Sequence, residues 1–396
     1  MVRIGLITAL FTAALFGAVA PELSEKYEDS RKCKPCHAKR VAEWENSWHA
    51  NSHYGSDEYL RKSIDYVSRK SHRSVNSVKV QCATCHNPRI AITETSADYE
   101  ILAAMKMDEK SNVNQALNNN ALTEGINCLV CHNINKINDH LDEKQRGVHR
   151  VEWNQVGTMS GPLDDAVSPY HNTQERDFFS TNPNKLCFVC HANDRSIKGV
   201  LFTDMKSEFG NSKEKCVECH MSPKKEGVAS NYPIDNGKPK VRMIREHNFA
   251  GGHVESMWAG AMRVDLKRKG ETLLVTLVND QPHNLPSGFG ARELVIEVDY
   301  TKGTDALKSQ VMSLTQHYTD KRGRVTIPHL AKKASEDMSV PAHGSKTVKF
   351  NITPGTDKAW VKVYYRLVND EVHNLLKLED PIWSKKMLIN SATISL

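Results

Sequence analysis

Cys33-Lys34-Pro35-Cys36-His37 is the first of five stretches with the same punctuation. It is followed by Cys82, Cys85 and His86, by Cys128, Cys131 and His132, by Cys187, Cys190 and His191, and by Cys216, Cys219 and His220. These five motifs use all ten cysteines of the 396-residue chain. C-x-x-C-H is the spacing at which two thiols add to the vinyl groups of a porphyrin while the next histidine reaches the iron as proximal ligand. At this cysteine and histidine content chance would supply roughly 0.01 such motifs. Structural zinc uses paired C-x-x-C knuckles without a histidine after each one, and a disulfide framework has no use for that histidine. The reading is therefore five covalently attached c-type haems, each with its iron.

Working outward, the motif starts lie 49, 46, 59 and 29 residues apart, and no cysteine follows Cys219. So little chain per haem cannot wrap each porphyrin separately, and the haems are expected to stack on one another and fill much of the core. That accounts for a hydrophobic content of only 39%, which also excludes a multispanning membrane protein. Short helices are expected around the motifs, as over 57–70, joined by polar loops at 112–120 and 221–240. After about residue 257 the pattern changes to alternation rich in Val, Thr and Tyr, over 272–279, 292–300, 310–318, 345–352 and 358–367. The fold class is thus a mainly helical and irregular multihaem domain, residues 21–257, followed by an all-β sandwich of Ig-like size, 258–396.

Lysine and arginine balance the acids at 32 each over residues 21–260 and exceed them by 20 to 15 over 261–396. Each oxidised haem with ionised propionates adds about −1, so the haem domain is expected to be acidic and the β-domain basic. The overall +6 does not point to nucleic acid. Residues 1–20, a basic start and an apolar run from Ile4 to Ala20, read as a signal peptide, with an uncleaved anchor as the alternative because Pro21 follows directly. Either way the body is exported, periplasmic or extracellular, and membrane association requires that the segment stay uncleaved.

The second axial ligand decides what a haem does: a strong ligand makes an electron carrier, an open position allows chemistry on a substrate. Thirteen histidines remain after the five motif ones, more than enough. Here a resemblance helps. Cys33 to His37 with Trp44, Ser47 and His49 resembles the C-x-x-C-H...W-x-x-S-x-H signature of the multihaem cytochrome family that includes the tetrahaem electron acceptor of hydroxylamine oxidoreductase. His247-Asn-Phe-Ala-Gly-Gly-His253, followed by His283-Asn-Leu-Pro-Ser-Gly and Arg292, is similar to a pattern of multihaem cytochromes with a C-terminal β-domain, with Pro282 and Ser287 departing from it. Gly161-Pro162 to Ser168-Pro169-Tyr170-His171 also resembles a family segment. The resemblance implies His49, His171, His247, His253 and His283 as distal ligands. His53 shares a helical face with His49 and competes for that role. His72, His140 and His149 are expected in solvent, and His317, His329, His343 and His373 on β-domain surfaces and loops.

The expected function is an exported pentahaem carrier of single electrons between respiratory redox partners, a membrane quinol dehydrogenase or other cytochromes, as in anaerobic respiration. One alternative is an oxidoreductase acting on small nitrogen or sulfur oxyanions at a five-coordinate haem. Pentahaem nitrite reductase marks its active haem with lysine in place of the motif histidine, and here all five motifs keep histidine. Another is a subunit of a multihaem filament or complex docked through the β-domain.

Overall fold

The computed structural model describes residues 29–90, 92–118, 123–139 and 145–396; the N-terminal apolar run and His140 lie outside these. No helix among the described residues is long and apolar enough to cross a membrane.

The cysteine-bearing half is helical where the motifs fall. Val75–His86, Cys128–His132, Asn184–His191 and Cys216–His220 each end on their motif histidine, while Lys34–Glu45 carries the first motif and kinks at His37. One helical turn is what the motif needs, because residues i, i+3 and i+4 then share a face and both thiols and the ring meet one porphyrin. Glu58–Ser71 is the longest helix of this half. Asp57 caps it by accepting the Leu60 N–H, His72 ends it in the left-handed conformation, and Leu60, Ile64 and Val67 form its buried stripe.

Two expected loops are ordered elements. Asn112–Leu117 is a helix capped by Ser111, whose hydroxyl accepts the Asn114 N–H. Lys225–Asp235 and Lys238–Ile244 pair as an antiparallel hairpin. Its turn is Asn236-Gly237, both with positive φ (49° and 77°), the conformation that makes Asn-Gly a hairpin signal.

Beside a two-stranded ladder of Tyr318–Thr319 and Lys333–Ala334, the C-terminal half has two main antiparallel sheets. One orders Gly344–Asn351, Thr272–Asn279 and Met262–Lys269. The other runs Asp305–Ala306, Glu293–Lys302, Lys358–Arg366 and Met387–Ser395, with Gln310–Thr315 also on Glu293–Lys302. Alternate residues of Thr272–Asn279 are buried, as expected for a strand with one face in a core. Leu273, Val275 and Leu277 meet Leu294, Ile296 and Val363 between the sheets.

The same apolar cluster continues into Leu60, Ile64, Tyr66, Val67 and Val78, so the helix Glu58–Ser71 belongs to the core of both halves. Polar contacts reinforce the joint: the Glu58 carboxylate accepts the N–H groups of Glu379, Asp380 and the Trp383 indole.

Candidate haem-binding site

All five motifs open onto one cavity of about 1780 Å³, lined by every motif cysteine and histidine. That is well above the roughly 300–1,000 Å³ of a pocket for one small ligand. Its wall includes residues from the β half, among them His283, Arg292 and His329.

Four motif histidines face a second histidine at nearly one distance. Ring centres are 6.5 Å apart for His37 and His171, 6.3 Å for His191 and His49, 6.2 Å for His132 and His247, and 6.4 Å for His220 and His283. Two imidazoles bound to one metal through bonds of about 2 Å, each with about 1.15 Å from nitrogen to ring centre, stand about 6.3 Å apart. The four pairs therefore fit an iron between each two rings, and the flanking cysteines fit covalent attachment of the porphyrin that carries it.

Hydrogen bonds set the tautomers. His37 Nδ1 donates to the Ala229 carbonyl at 2.8 Å, His132 Nδ1 to Ser160 at 2.7 Å and His220 Nδ1 to Ala250 at 2.5 Å. Across the pairs, His171 and His283 donate from Nδ1 to the carbonyls of Asn172 and Asn284. A carbonyl can only accept, so Nδ1 holds the proton and Nε2 keeps the lone pair a metal needs. Burial acts in the same direction. It pushes His49 and His247 down to about 3 and His191 to about 4, and lowers His132 and His283, so these rings stay neutral at physiological pH and pay no proton to bind a metal.

His49 is placed by its surroundings. Ser47 caps the turn Trp48–Asn51 by accepting the Ala50 N–H. Gly125 and Ile126 donate their N–H groups to the carbonyls of Ala50 and His49. A Cβ on Gly125 would stand 2.4 Å from the His49 carbonyl oxygen, so only glycine lets the two backbones approach.

The second motif is different. His86 Nδ1 bonds the Ser52 hydroxyl at 2.8 Å, and burial lowers the ring to about 4. Among the described residues no imidazole stands opposite it at the spacing of the other four pairs. His253 does not fill that place: its ring lies flat on Trp48, centres 3.5 Å apart and 7° from parallel, with its edge toward Trp383. The field of His86 reaches His49, His191 and His329; the first two rings pair with each other, which leaves His329, expected on a β-domain surface or loop. It lines the cavity between Phe202 and Phe289 with Nδ1 buried and unpartnered. Burial, then the field of His86, lowers it to about 3. No motif surrounds His329; the signal that finds it is the fold, which docks Pro328–Leu330 through the Ile197 N–H to the His329 carbonyl and the Ser196 hydroxyl to the Ala331 carbonyl.

Three further histidines have partners away from the cavity's histidine pairs. His53 Nδ1 accepts the Gly55 N–H, His317 pairs with Glu371, and His343 with Glu214.

Motifs also touch each other. The Cys33 thiol lies beside that of Cys128, Cys85 beside Cys190, and Cys187 beside Cys216. The first motif thus adjoins the third, and the fourth adjoins both the second and the fifth.

A helical half whose C-x-x-C-H motifs line one common cavity, joined to a β-sandwich, has the architecture of a multihaem cytochrome. The particular likeness is to the crystal structure of a penta-heme cytochrome c552 from Thermochromatium tepidum, with a TM-score of 0.66 and 19% identity over 93% of this chain and 98% of that one. Residues 32–93 match the model of the family described as cytochrome c554 and c-prime. A superoxide reductase in the oxidised state (TM-score 0.18, 10% identity) covers 35% of this chain and 87% of its own. An endonuclease/exonuclease/phosphatase from Beutenbergia cavernae (0.15, 9%) covers 34% and 24%. No curated protein matches the sequence.

Proposed function

We propose that the chain is an exported pentahaem c-type cytochrome that passes single electrons between redox partner proteins. Its haems are carried on Cys33 and Cys36, Cys82 and Cys85, Cys128 and Cys131, Cys187 and Cys190, and Cys216 and Cys219, with His37, His86, His132, His191 and His220 as proximal ligands. The observation that carries this reading is the set of four histidine pairs at 6.2–6.5 Å, which makes His171, His49, His247 and His283 the distal ligands of the first, fourth, third and fifth motifs.

Haem bound here supplies one-electron chemistry at iron. The chain's own part is to hold neutral imidazoles at fixed spacing, to exclude water, and to keep neighbouring sites close. Contacts between thiols of different motifs support a chain of stacked haems in which the first adjoins the third and the fourth joins the second and fifth. Two strong axial ligands leave no position for a substrate, which favours a carrier over an enzyme.

A second reading, reduction or oxidation of a small nitrogen or sulfur oxyanion, is favoured at the second motif alone. There no imidazole among the described residues stands opposite His86 at the spacing of the other four pairs, so the distal side is the one candidate for an open position.

Single replacement of His171, His247 or His283 by alanine should convert one haem of five to high spin in the oxidised protein, seen by electron paramagnetic resonance. His253→Ala should leave the low-spin signals unchanged. An unchanged spectrum in all three pair variants defeats the ligand assignment.

A further inference from the structure

The arginines that line the cavity are mostly neutralised. Arg40 pairs with Glu43, Arg146 with Asp194, Arg242 with Asp165 and Arg245 with Glu218. Arg292 differs from these four: among the described residues no carboxylate stands within ion-pair distance of it. Among the described residues its guanidinium makes one hydrogen bond, from Nη1 to the Ser287 carbonyl. A half-buried guanidinium without an anion is costly, because desolvation is not repaid by a counter-charge.

Two glycines keep space open around this group. A Cβ on Gly288, which has φ +80°, would lie 2.8 Å from Nη1, and a Cβ on Gly252 would lie 3.3 Å from Nη2 and 2.8 Å from the Tyr365 hydroxyl. That hydroxyl is buried and has no hydrogen-bond partner among the described residues. Geometry puts the group beside the fifth proposed site, since a Cβ on Gly251, next to Gly252, would lie 4.0 Å from His220 Nδ1; its field reaches His283 of that site, His191 of the fourth, and His253. The residue thus brings a positive charge from the β half to the junction of two sites.

We propose that Arg292 binds a haem propionate at the junction of the fourth and fifth haem sites and thereby raises the reduction potential there. A guanidinium matches a carboxylate with paired N–H donors, and each c-type haem carries two carboxylates. This rests on the haem assignment above. Loss of the cation leaves more negative charge beside the iron, which disfavours the electron-rich ferrous state, so the potential falls. Arg292 is a positioning and tuning residue that makes no bond to iron.

The test is spectroelectrochemical titration of the haem-loaded full chain. Arg292→Gln should lower one or two of the five reduction steps and leave the others in place. Arg292→Lys, which keeps the charge, should stay closer to wild type. The inference is overturned if the steps of Arg292→Gln coincide with wild type, or if Gln and Lys shift them equally. Five haems and unchanged low-spin signals in such a variant would leave the carrier reading standing, so the two failures are distinct. A measurement on the unaltered protein keeps the test independent of variant folding. The propionate bending band in resonance Raman should include an ion-paired carboxylate, and a spectrum of water-solvated propionates only contradicts the proposal.

Discussion

The two halves of this molecule build an interior by opposite means. In the β-sandwich, strands such as Thr272–Asn279 and Glu293–Lys302 bury aliphatic side chains completely. Of the twelve largest fully buried side chains among the described residues, only Arg89 precedes residue 258. The cysteine half instead lines most of a cavity of about 1780 Å³, with the histidines and thiols of all five motifs in its wall. A chain packed to ordinary density leaves few voids larger than water, so this half is organised around material other than its own side chains. The helix Glu58–Ser71 ties the regimes together by lending Leu60, Ile64 and Val67 to the sandwich core.

The sharpest way to break this contrast is to prevent haem attachment. Replacing Cys187 and Cys190 with alanine removes the motif that touches two neighbours. Hydrogen exchange should then lose protection across the cysteine half while the strands Thr272–Asn279 and Glu293–Lys302 keep theirs. Equal loss in both halves would mean that they fold as one unit. The converse variant, Leu277→Ala, removes a fully buried side chain from the sandwich and should cost about 2–5 kcal/mol in chemical denaturation, with little change in haem absorbance below the transition.

Gly125→Ala sharpens the comparison from the haem side. The added methyl meets the His49 carbonyl, so one haem should gain high-spin character while the other four keep their signals. The smallest expected effect is on pH dependence. Burial raises the Glu208 carboxyl to about 7, against hydrogen bonds from Ser287 and the Asn284 N–H that lower it. Its native form therefore prefers the proton. The associated stability is present below the ordinary value near 4.5 and is lost as pH rises through about 7. Glu208→Gln should flatten that part of the stability profile, and an unchanged slope between pH 5 and 8 would contradict the account.

The motifs and strand alternation made much of this legible in advance. Five C-x-x-C-H stretches located every cysteine of the cavity wall, and period-two runs located strands such as Thr272–Asn279 within a residue. The hairpin 225–244 escaped because its Asn236-Gly237 turn was outweighed by the polar residues around it. Met262–Lys269 and Met387–Ser395 were missed as strands. The first does alternate, Met262, Val264 and Leu266 against Arg263, Asp265 and Lys267, but its run is short and ends in charges, while in the second the exposed Leu388 breaks the alternation. Histidine pairing depends on tertiary placement. His49, His171, His247 and His283 could be carried over from family-like segments, but His329 lies 243 residues after His86 and reaches the cavity only because the sandwich docks against the helices. His253 sits in a glycine-rich segment that suits a porphyrin face, yet the fold turns its ring onto Trp48.

The central claim is that one cavity holds five c-type haems, four of them between paired histidines. The most direct test is the oxidised, full-length protein expressed with haem attached, its haem content measured against chain and its spin states quantified by electron paramagnetic resonance. The account predicts five haems per chain with at least four low-spin bis-histidine signals. Fewer than five haems, or two or more high-spin irons, would contradict it.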